Sequence, residues 1–347
     1  MKTSDCPSRL FILVHAYFDA WWPFVAQALR EEWEAGGGTV ELIRTVTDPP
    51  ESITSLLERP AEVENLVVLG DFPITGKDLD QLSSVKRLFV NSLDADTRKA
   101  AEARSITLFC HESEGFWGQS VAEFALALTL CGLRRIPQLH REMIATLEPW
   151  DYTPHTHPHK HGGRGVQMGD DLRFSNGTIN EKRVRLVGLG NIGSRYADWC
   201  SSMGAEVAAW DPFAAEPVFH RTHVRRVGHL ANLAGDAQIF APMLPLKEST
   251  RGLVTREIIQ SLPSGCLVIL VTRAEICDVP ALRERVLADE LSLAADVFDI
   301  EPLPLDDPLL GRGNVVHTPH NAGRTLHANR DNARRIAKMF QEEINHP

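Results

Sequence analysis

Short apolar runs of β type alternate with segments of helical period along most of the chain. In the first third, Leu10 to Val14, Val40 to Ile43, Leu66 to Leu69, Arg87 to Val90 and Ile106 to Phe109 read as buried strands. Between them, Trp21 to Glu34 and Thr97 to Ala103 carry apolar residues at helical spacing. Such alternation predicts a parallel sheet covered by helices on both faces. A longer helix is predicted from about Trp117 to Thr146; it is apolar almost all round between Ala122 and Leu130, and therefore buried between two layers or two domains. Periodicity lapses from Glu148 to Asn180 in favour of Pro, Gly, His and Asp. It resumes with strands at Arg183 to Val187, Glu206 to Trp210, Gln238 to Phe240, Leu267 to Leu270, Leu293 to Ala295 and Val315 to His317. An amphipathic helix from Asn329 to Ile344 closes the chain.

Two successive β/α modules fit the length of 347 residues, which is too long for one average domain. Thirty-six basic against 46 acidic side chains leave a net charge of -10, without a Lys/Arg block to follow a phosphate backbone, so nucleic acid is not expected as a partner. The cysteines Cys6, Cys110, Cys131, Cys200, Cys266 and Cys277 form no CxxC pair and read as reduced thiols of a cytoplasmic protein. The apolar stretch Val121 to Leu133 falls short of a membrane span and contains Thr129 and Gly132, so a buried helix is expected and no membrane. His155, His157, His159 and His161 alternate as chelating histidines can. The flanking Pro154, Pro158, Gly162 and Gly163, with Asp151 the one acid nearby, favour a solvent-facing loop instead, and no metal is expected.

Gly188-Leu189-Gly190-Asn191-Ile192-Gly193 follows the β run ending at Val187 and opens the helical segment Ile192 to Met203. Strand, glycines and helix in this order make a dinucleotide fingerprint: Gly188 for the tight turn, Gly190 for close approach of a pyrophosphate, Gly193 for helix–sheet packing. The pyrophosphate would sit at the helix N-terminus. Asp211 ends the next β run and is placed to accept hydrogen bonds from the adenosine ribose. Its charge would repel a 2′-phosphate, which favours NAD over NADP. The alternative for Asp211 is the start of an Asp-Pro turn with Pro212.

Further motifs lie in the C-terminal third: Pro245 to Gly252 (PLKESTRG), Val271-Thr272-Arg273, Asp296 to Pro304 (DVFDIEPLP) and Thr318 to Gly323 (TPHNAG). With the glycine motif and Ser120 to Phe124 (SVAEF), their order and spacing over roughly residues 85 to 325 resemble the D-isomer-specific 2-hydroxyacid dehydrogenases. The resemblance implies a catalytic Arg, Glu and His at Arg273, Glu301 and His320. Reduction of a 2-keto acid needs a proton on the carbonyl oxygen, and imidazolium is suited to give it near neutral pH. Glu301 would orient the ring and stabilise its charged form, and Arg273 would offer a planar fork to the substrate carboxylate and carbonyl. The resemblance also implies cofactor contacts at Gly188, Gly190, Asn191, Ile192, Gly193, Asp211, Pro212, Pro245, Thr250, Thr272, Arg273, Asp296, His320 and Gly323, with Asp296 on the nicotinamide carboxamide. Substrate contacts are implied at Asn91, Ser92, Leu93 and Arg273.

The chain departs from the family at three places. Arg273 is followed by Ala274 where the family usually has Gly, the loop Asn91-Ser92-Leu93-Asp94 lacks the glycines that receive a substrate carboxylate, and His111 to Gly118 lacks the usual Asn and Pro. Either the enzyme takes an unusual acid or the site is degenerate.

The fold expected is α/β, with two doubly wound, Rossmann-like parallel-sheet domains and an active-site cleft between them. Residues 118–321 would form the NAD-binding domain, and residues 1–117 with 322–347 the substrate domain. The function expected is NAD-dependent interconversion of a 2-keto acid and a D-2-hydroxy acid, by a homodimer if the resemblance extends so far. The competing expectation is a non-catalytic, NAD(H)-responsive binding protein of corepressor type on the same scaffold.

Overall fold

Strand β1 (Arg9–His15) is buried from Leu10 onward, as a central strand covered on both faces must be. In the computed structural model of the protein, residues 9–47, 52–111, 115–146 and 177–345 are described. Helices α1 (Ala16–Trp21) and α2 (Val25–Ala35) lead from β1 to β2 (Thr39–Thr45). Then follow β3 (Asn65–Leu69), α3 (Gly76–Gln81), β4 (Arg87–Val90), α4 (Ala95–Glu102) and β5 (Thr107–Phe109). The strands pair in parallel in the order β2-β1-β3-β4-β5. Successive residues of β1 face opposite sides, so Leu10, Ile12 and Val14 pack with Val25, Leu29 and Trp33, while Phe11 and Leu13 pack with Leu66, Val68 and Leu79. The helix expected from Trp21 to Glu34 begins only at Val25, Trp21 being the last residue of α1. Pro23 lacks a helix-bonding N–H, and the Phe24 N–H leaves the helical ladder to donate to Asn329 Oδ1 at 3.1 Å.

A second sheet is built from β6 (Arg183–Val187), β7 (Glu206–Trp210), β8 (Arg225–Arg226), β9 (Ile239–Pro242), β10 (Leu267–Leu270), β11 (Ser292–Ala295) and β12 (Val315–His317). Its order, β12-β11-β10-β9-β6-β7-β8, is that of a doubly wound dinucleotide fold, reversing direction between β6 and β9. Arg185, only 1% exposed inside β6, is tolerated there because Asp236 accepts two of its N–H groups at 2.6 and 2.8 Å and Glu206 a third at 3.0 Å.

The long helix expected over 117–146 is broken into α5 (Gly118–Arg134) and α6 (Ile136–Ala145). Pro137 near the start of α6 would clash with the carbonyl four residues earlier in a continuous helix. Arg135 takes up the break with φ of 51° and donates to Gly313 O and Glu142. The apolar stretch Val121 to Leu133 lies within Gly115–Arg134, which by length and composition alone could cross a membrane. Its α5 portion is packed nonetheless: Ala122 and Ala125 are fully buried, Thr129 shares a hydrogen bond with Tyr196, and a side chain at Gly132 would collide with Leu267.

Helices α7 (Asn191–Ser202), α8 (Glu216–Arg221), α9 (Arg256–Ser261) and α10 (Val279–Leu287) connect strands of the second sheet, and α11 (Leu326–Asn345) follows it. Two compact units result, Met1–Trp117 with Arg324–Pro347 and Gly118–Gly323. Helix α11 belongs to the first, where Ala333, Ile336, Ala337 and Phe340 complete the core on the α2 side of the sheet. The histidine tract at 155–161 lies outside the described residues.

Candidate active site

In parallel α/β sheets, ligand chemistry gathers where strands end at their carboxyl edge. That edge of the second sheet carries Gly188 after β6, Asp211 after β7, Thr272 and Arg273 after β10, Asp296 after β11, and Thr318 to His320 after β12. The sequence thus places its candidate residues on successive turns of one edge. Asn91, Ser92 and Leu93 follow β4 of the first sheet in the same sense.

Gly188 has φ of 100°, and a side chain there would meet Met243 O at 2.8 Å. At Gly193 a Cβ would fall 2.3 Å from Gly188 O, so α7 can approach the loop only with glycine at this position. Gly190, the N-cap of α7, has nothing within 4 Å of a would-be Cβ. Its open side borders a cavity of about 450 Å³ lined by Leu189, Gly190, Asn191, Asp211, Phe213 and Arg221, among others. Size, helix N-terminus and carboxylate together fit the adenosine end of a dinucleotide.

Asp211 makes the Asp-Pro turn that the sequence offered as the alternative to ribose binding, and it also reaches the glycine loop. One carboxylate oxygen accepts the Phe213 and Ala214 N–H groups at 2.9 and 3.0 Å, the turn; the other accepts the Leu189 N–H at 2.7 Å, which ties the carboxylate to the glycine loop. A carboxylate has about four acceptor positions, so capacity remains for a ribose hydroxyl. Phe213, 94% exposed, and Arg221 border this cavity but were not singled out in the sequence. An exposed aromatic directly after Asp-Pro was the available signal for the first. Arg221 had none.

His320 Nδ1 lies 2.6 Å from Glu301 Oε2, and Glu301 Oε1 accepts the Phe298 N–H at 2.8 Å. Both carboxylate oxygens are thereby fixed, and Nε2 is the ring nitrogen left to act. His320 sits at φ of 52°, an uncommon conformation for a residue other than glycine. Asp296 holds it there. Fully buried, it accepts Thr318 Oγ1 at 2.6 Å and the N–H groups of Asn321 and Ala322 at 3.1 and 2.9 Å. These three bonds make Asp296 a positioning residue for the segment around His320, whatever it also accepts from a bound cofactor. His317, three residues earlier, is a different case, since burial and Arg141 lower its basicity and keep it neutral.

Arg273 Nη1 donates to Thr272 O at 2.7 Å, which folds the guanidinium back over the end of β10, while Thr272 Oγ1 reaches Pro242 O at 3.3 Å. Thr250 and Pro245, expected at the cofactor, are bonded to each other through Thr250 Oγ1 and Pro245 O at 2.7 Å and lock a turn. Among the described residues, no group of three or more His, Cys, Asp or Glu side chains is arranged to hold a metal ion.

A family model for the NAD binding domain of D-isomer specific 2-hydroxyacid dehydrogenases matches residues 126–322. D-3-phosphoglycerate dehydrogenase of Methanocaldococcus jannaschii is 26% identical over 293 residues, covering 83% of this chain and 51% of the relative. The chain therefore spans about half the length of that enzyme. Hydroxypyruvate reductase of Thermotoga maritima is 27% identical over 287 residues, covering 81% of this chain and 85% of the relative. The NAD-complexed D-isomer specific 2-hydroxyacid dehydrogenase of Lactobacillus delbrueckii ssp. bulgaricus shares the fold, with a TM-score of 0.69 at 20% identity over 96% of this chain and 97% of the other. With more than half of its length matched by the family model, the chain belongs to the D-isomer specific 2-hydroxyacid dehydrogenases.

Proposed function

We propose that the protein interconverts a 2-keto acid and a D-2-hydroxy acid with NAD(H), using His320 as proton donor and acceptor. The observation that carries this reading is the 2.6 Å pairing of His320 with Glu301 on the same sheet edge as the glycine loop. Asp211 and the α7 N-terminus would hold the dinucleotide, which when bound supplies hydride to C2 of the keto acid. His320 holds a proton at Nε2 and gives it to the carbonyl oxygen, so that hydride and proton together convert C=O to CH–OH. The Glu301 carboxylate keeps Nδ1–H directed at itself and offsets the charge of the ring before it gives up its proton. Arg273 presents its fork to the carboxylate and carbonyl oxygens, with Asn91, Ser92 and Leu93 proposed as further substrate contacts.

The corepressor alternative draws no support from the relatives named above, which are dehydrogenases and reductases. The test is NADH oxidation at 340 nm against glyoxylate, hydroxypyruvate, pyruvate, phenylpyruvate and branched 2-keto acids. Turnover of at least one is expected, and NADH binding without turnover of any would favour the binding protein.

A further inference from the structure

The cavity beside the glycine loop is lined by more positive than negative charge. Asp211 is its one acid, against two guanidiniums, Arg195 on α7 and Arg221 in the last turn of α8. Arg195 donates Nη1 to Asn191 O at 2.6 Å and to Asn191 Oδ1, and among the described residues it has no carboxylate partner. Arg221 is exposed, and among the described residues its side chain has neither an ion pair nor a hydrogen bond. The cations next to it in sequence are engaged: Arg225 lies 3.9 Å from Glu206, Arg226 2.8 Å from Glu216, and His220 3.7 Å from Glu216. Asp211 is the opposite case. It is buried, and the N–H groups of Leu189, Phe213 and Ala214 point at its two oxygens and disperse their charge.

We infer that Arg221 gives this cavity a binding position for the phosphate that NADPH carries on the 2′ oxygen of its adenosine ribose, so that the protein accepts NADPH as a second cofactor and Asp211 sets a preference for NADH, not an exclusion of NADPH. The inference rests on the reading above, in which the cavity takes the adenosine end of the dinucleotide with the ribose at Asp211. A phosphate on that ribose enters the cavity that Arg221 lines. The guanidinium offers it a planar fork of donors and has no acid to give up on binding, while Arg195 adds a second positive charge. The repulsion from Asp211 is offset, because its charge is spread over three N–H groups and opposed by two cations.

The experiment measures binding, apart from turnover, in the wild type and in Arg221→Gln. NADH and NADPH are compared by fluorescence quenching, and adenosine 5′-monophosphate and adenosine 2′,5′-bisphosphate by calorimetry; the second pair differs only in the 2′-phosphate. The wild type is expected to bind NADPH within about tenfold of NADH, and Arg221→Gln to widen both ratios by a further fivefold to tenfold or about that. Raising the salt from about 20 to 500 mM should weaken the bisphosphate more than the monophosphate in the wild type, and this excess should shrink in Arg221→Gln. A wild type that binds NADH but not NADPH, or a variant in which neither ratio moves, overturns the inference and leaves the adenosine reading intact. Absence of binding by NADH and by the monophosphate overturns both.

Discussion

Glu301→Gln is the substitution that separates a proton-transfer pair from a mere structural contact. In the wild type one carboxylate oxygen accepts the Phe298 N–H at 2.8 Å and the other faces His320 Nδ1 at 2.6 Å. A glutamine has one acceptor oxygen and cannot serve both donors. If its oxygen stays with Phe298, the amide NH2 faces Nδ1 and fixes a neutral ring with its proton on Nε2, so that Nε2 cannot accept a proton from an alcohol. If the amide flips, its NH2 meets the Phe298 N–H, donor against donor. Hydrogen bonds to charged groups contribute about 1.5–3 kcal/mol. Since the His320 and Glu301 side chains are 37% and 34% exposed, the lower end applies. A loss of about 1.5–2 kcal/mol is roughly a ten- to thirtyfold fall in kcat/KM. Oxidation of the hydroxy acid should suffer at least as much as reduction of the keto acid. The assay is steady-state kinetics in both directions, with NADH affinity measured by fluorescence quenching and expected to change little. Wild-type kcat/KM in the variant, or a loss explained entirely by weaker NADH binding, would refute the role of the pair.

Arg273→Lys keeps the charge but loses the planar fork, and kcat/KM for the keto acid should fall at least about tenfold with the melting temperature nearly unchanged; near-wild-type kinetics would remove Arg273 from the site. Gly190→Ala and Gly193→Ala should diverge. The first adds a methyl to open space and should weaken NADH binding with a melting temperature within about 3 °C of wild type, whereas the second drives a Cβ to 2.3 Å from Gly188 O and should cost about 1–3 kcal/mol in urea unfolding. NADH should exceed NADPH by roughly tenfold in kcat/KM if the Asp211 carboxylate faces the ribose, and equal rates would refute that placement. Burial lowers the basicity of His111 below the ordinary value of 6.5, so the stability its neutral form contributes is present above about pH 6.5 and is lost as pH falls through its lowered native range. Thermal melts between pH 7.5 and 5 should show this decline, and His111→Gln, which keeps a donor for Asn332, should flatten part of it.

Strands were the most legible elements because each has a run of apolar residues with no room for another period: β4, β6, β7, β10 and β12 begin and end where the apolar pattern does. Strand β8 was illegible for the same reason, being two exposed arginines whose pairing to Ala208 and Ala209 owes nothing to their side chains. The break between α5 and α6 had a local signal in Pro137, outweighed in the reading by the apolar residues on either side. At the site, Glu301 and His320 were legible through motif order and are 19 residues apart in sequence, yet 2.6 Å apart in space. The work of Asp296 was not legible, since it accepts from donors 22 to 26 residues downstream that only the folded edge brings near. That Arg221 has no partner among the described residues was likewise invisible, because a base on a helix carries no mark of whether an acid will fold against it.

The return of α11 to the first unit has a consequence for synthesis on the ribosome. Trp33 and Phe340, whose rings meet at 5.8 Å, are separated by the whole of the second unit, Gly118–Gly323. Until α11 emerges, the nascent first sheet and α2 display an apolar surface that Ala333, Ile336, Ala337 and Phe340 will later cover. The second unit, continuous in sequence, needs nothing translated after it and gains its core first. The N-terminal segment must meanwhile wait with that surface uncovered, so holdase chaperones should bear more on the yield of soluble protein than substitutions in the second core.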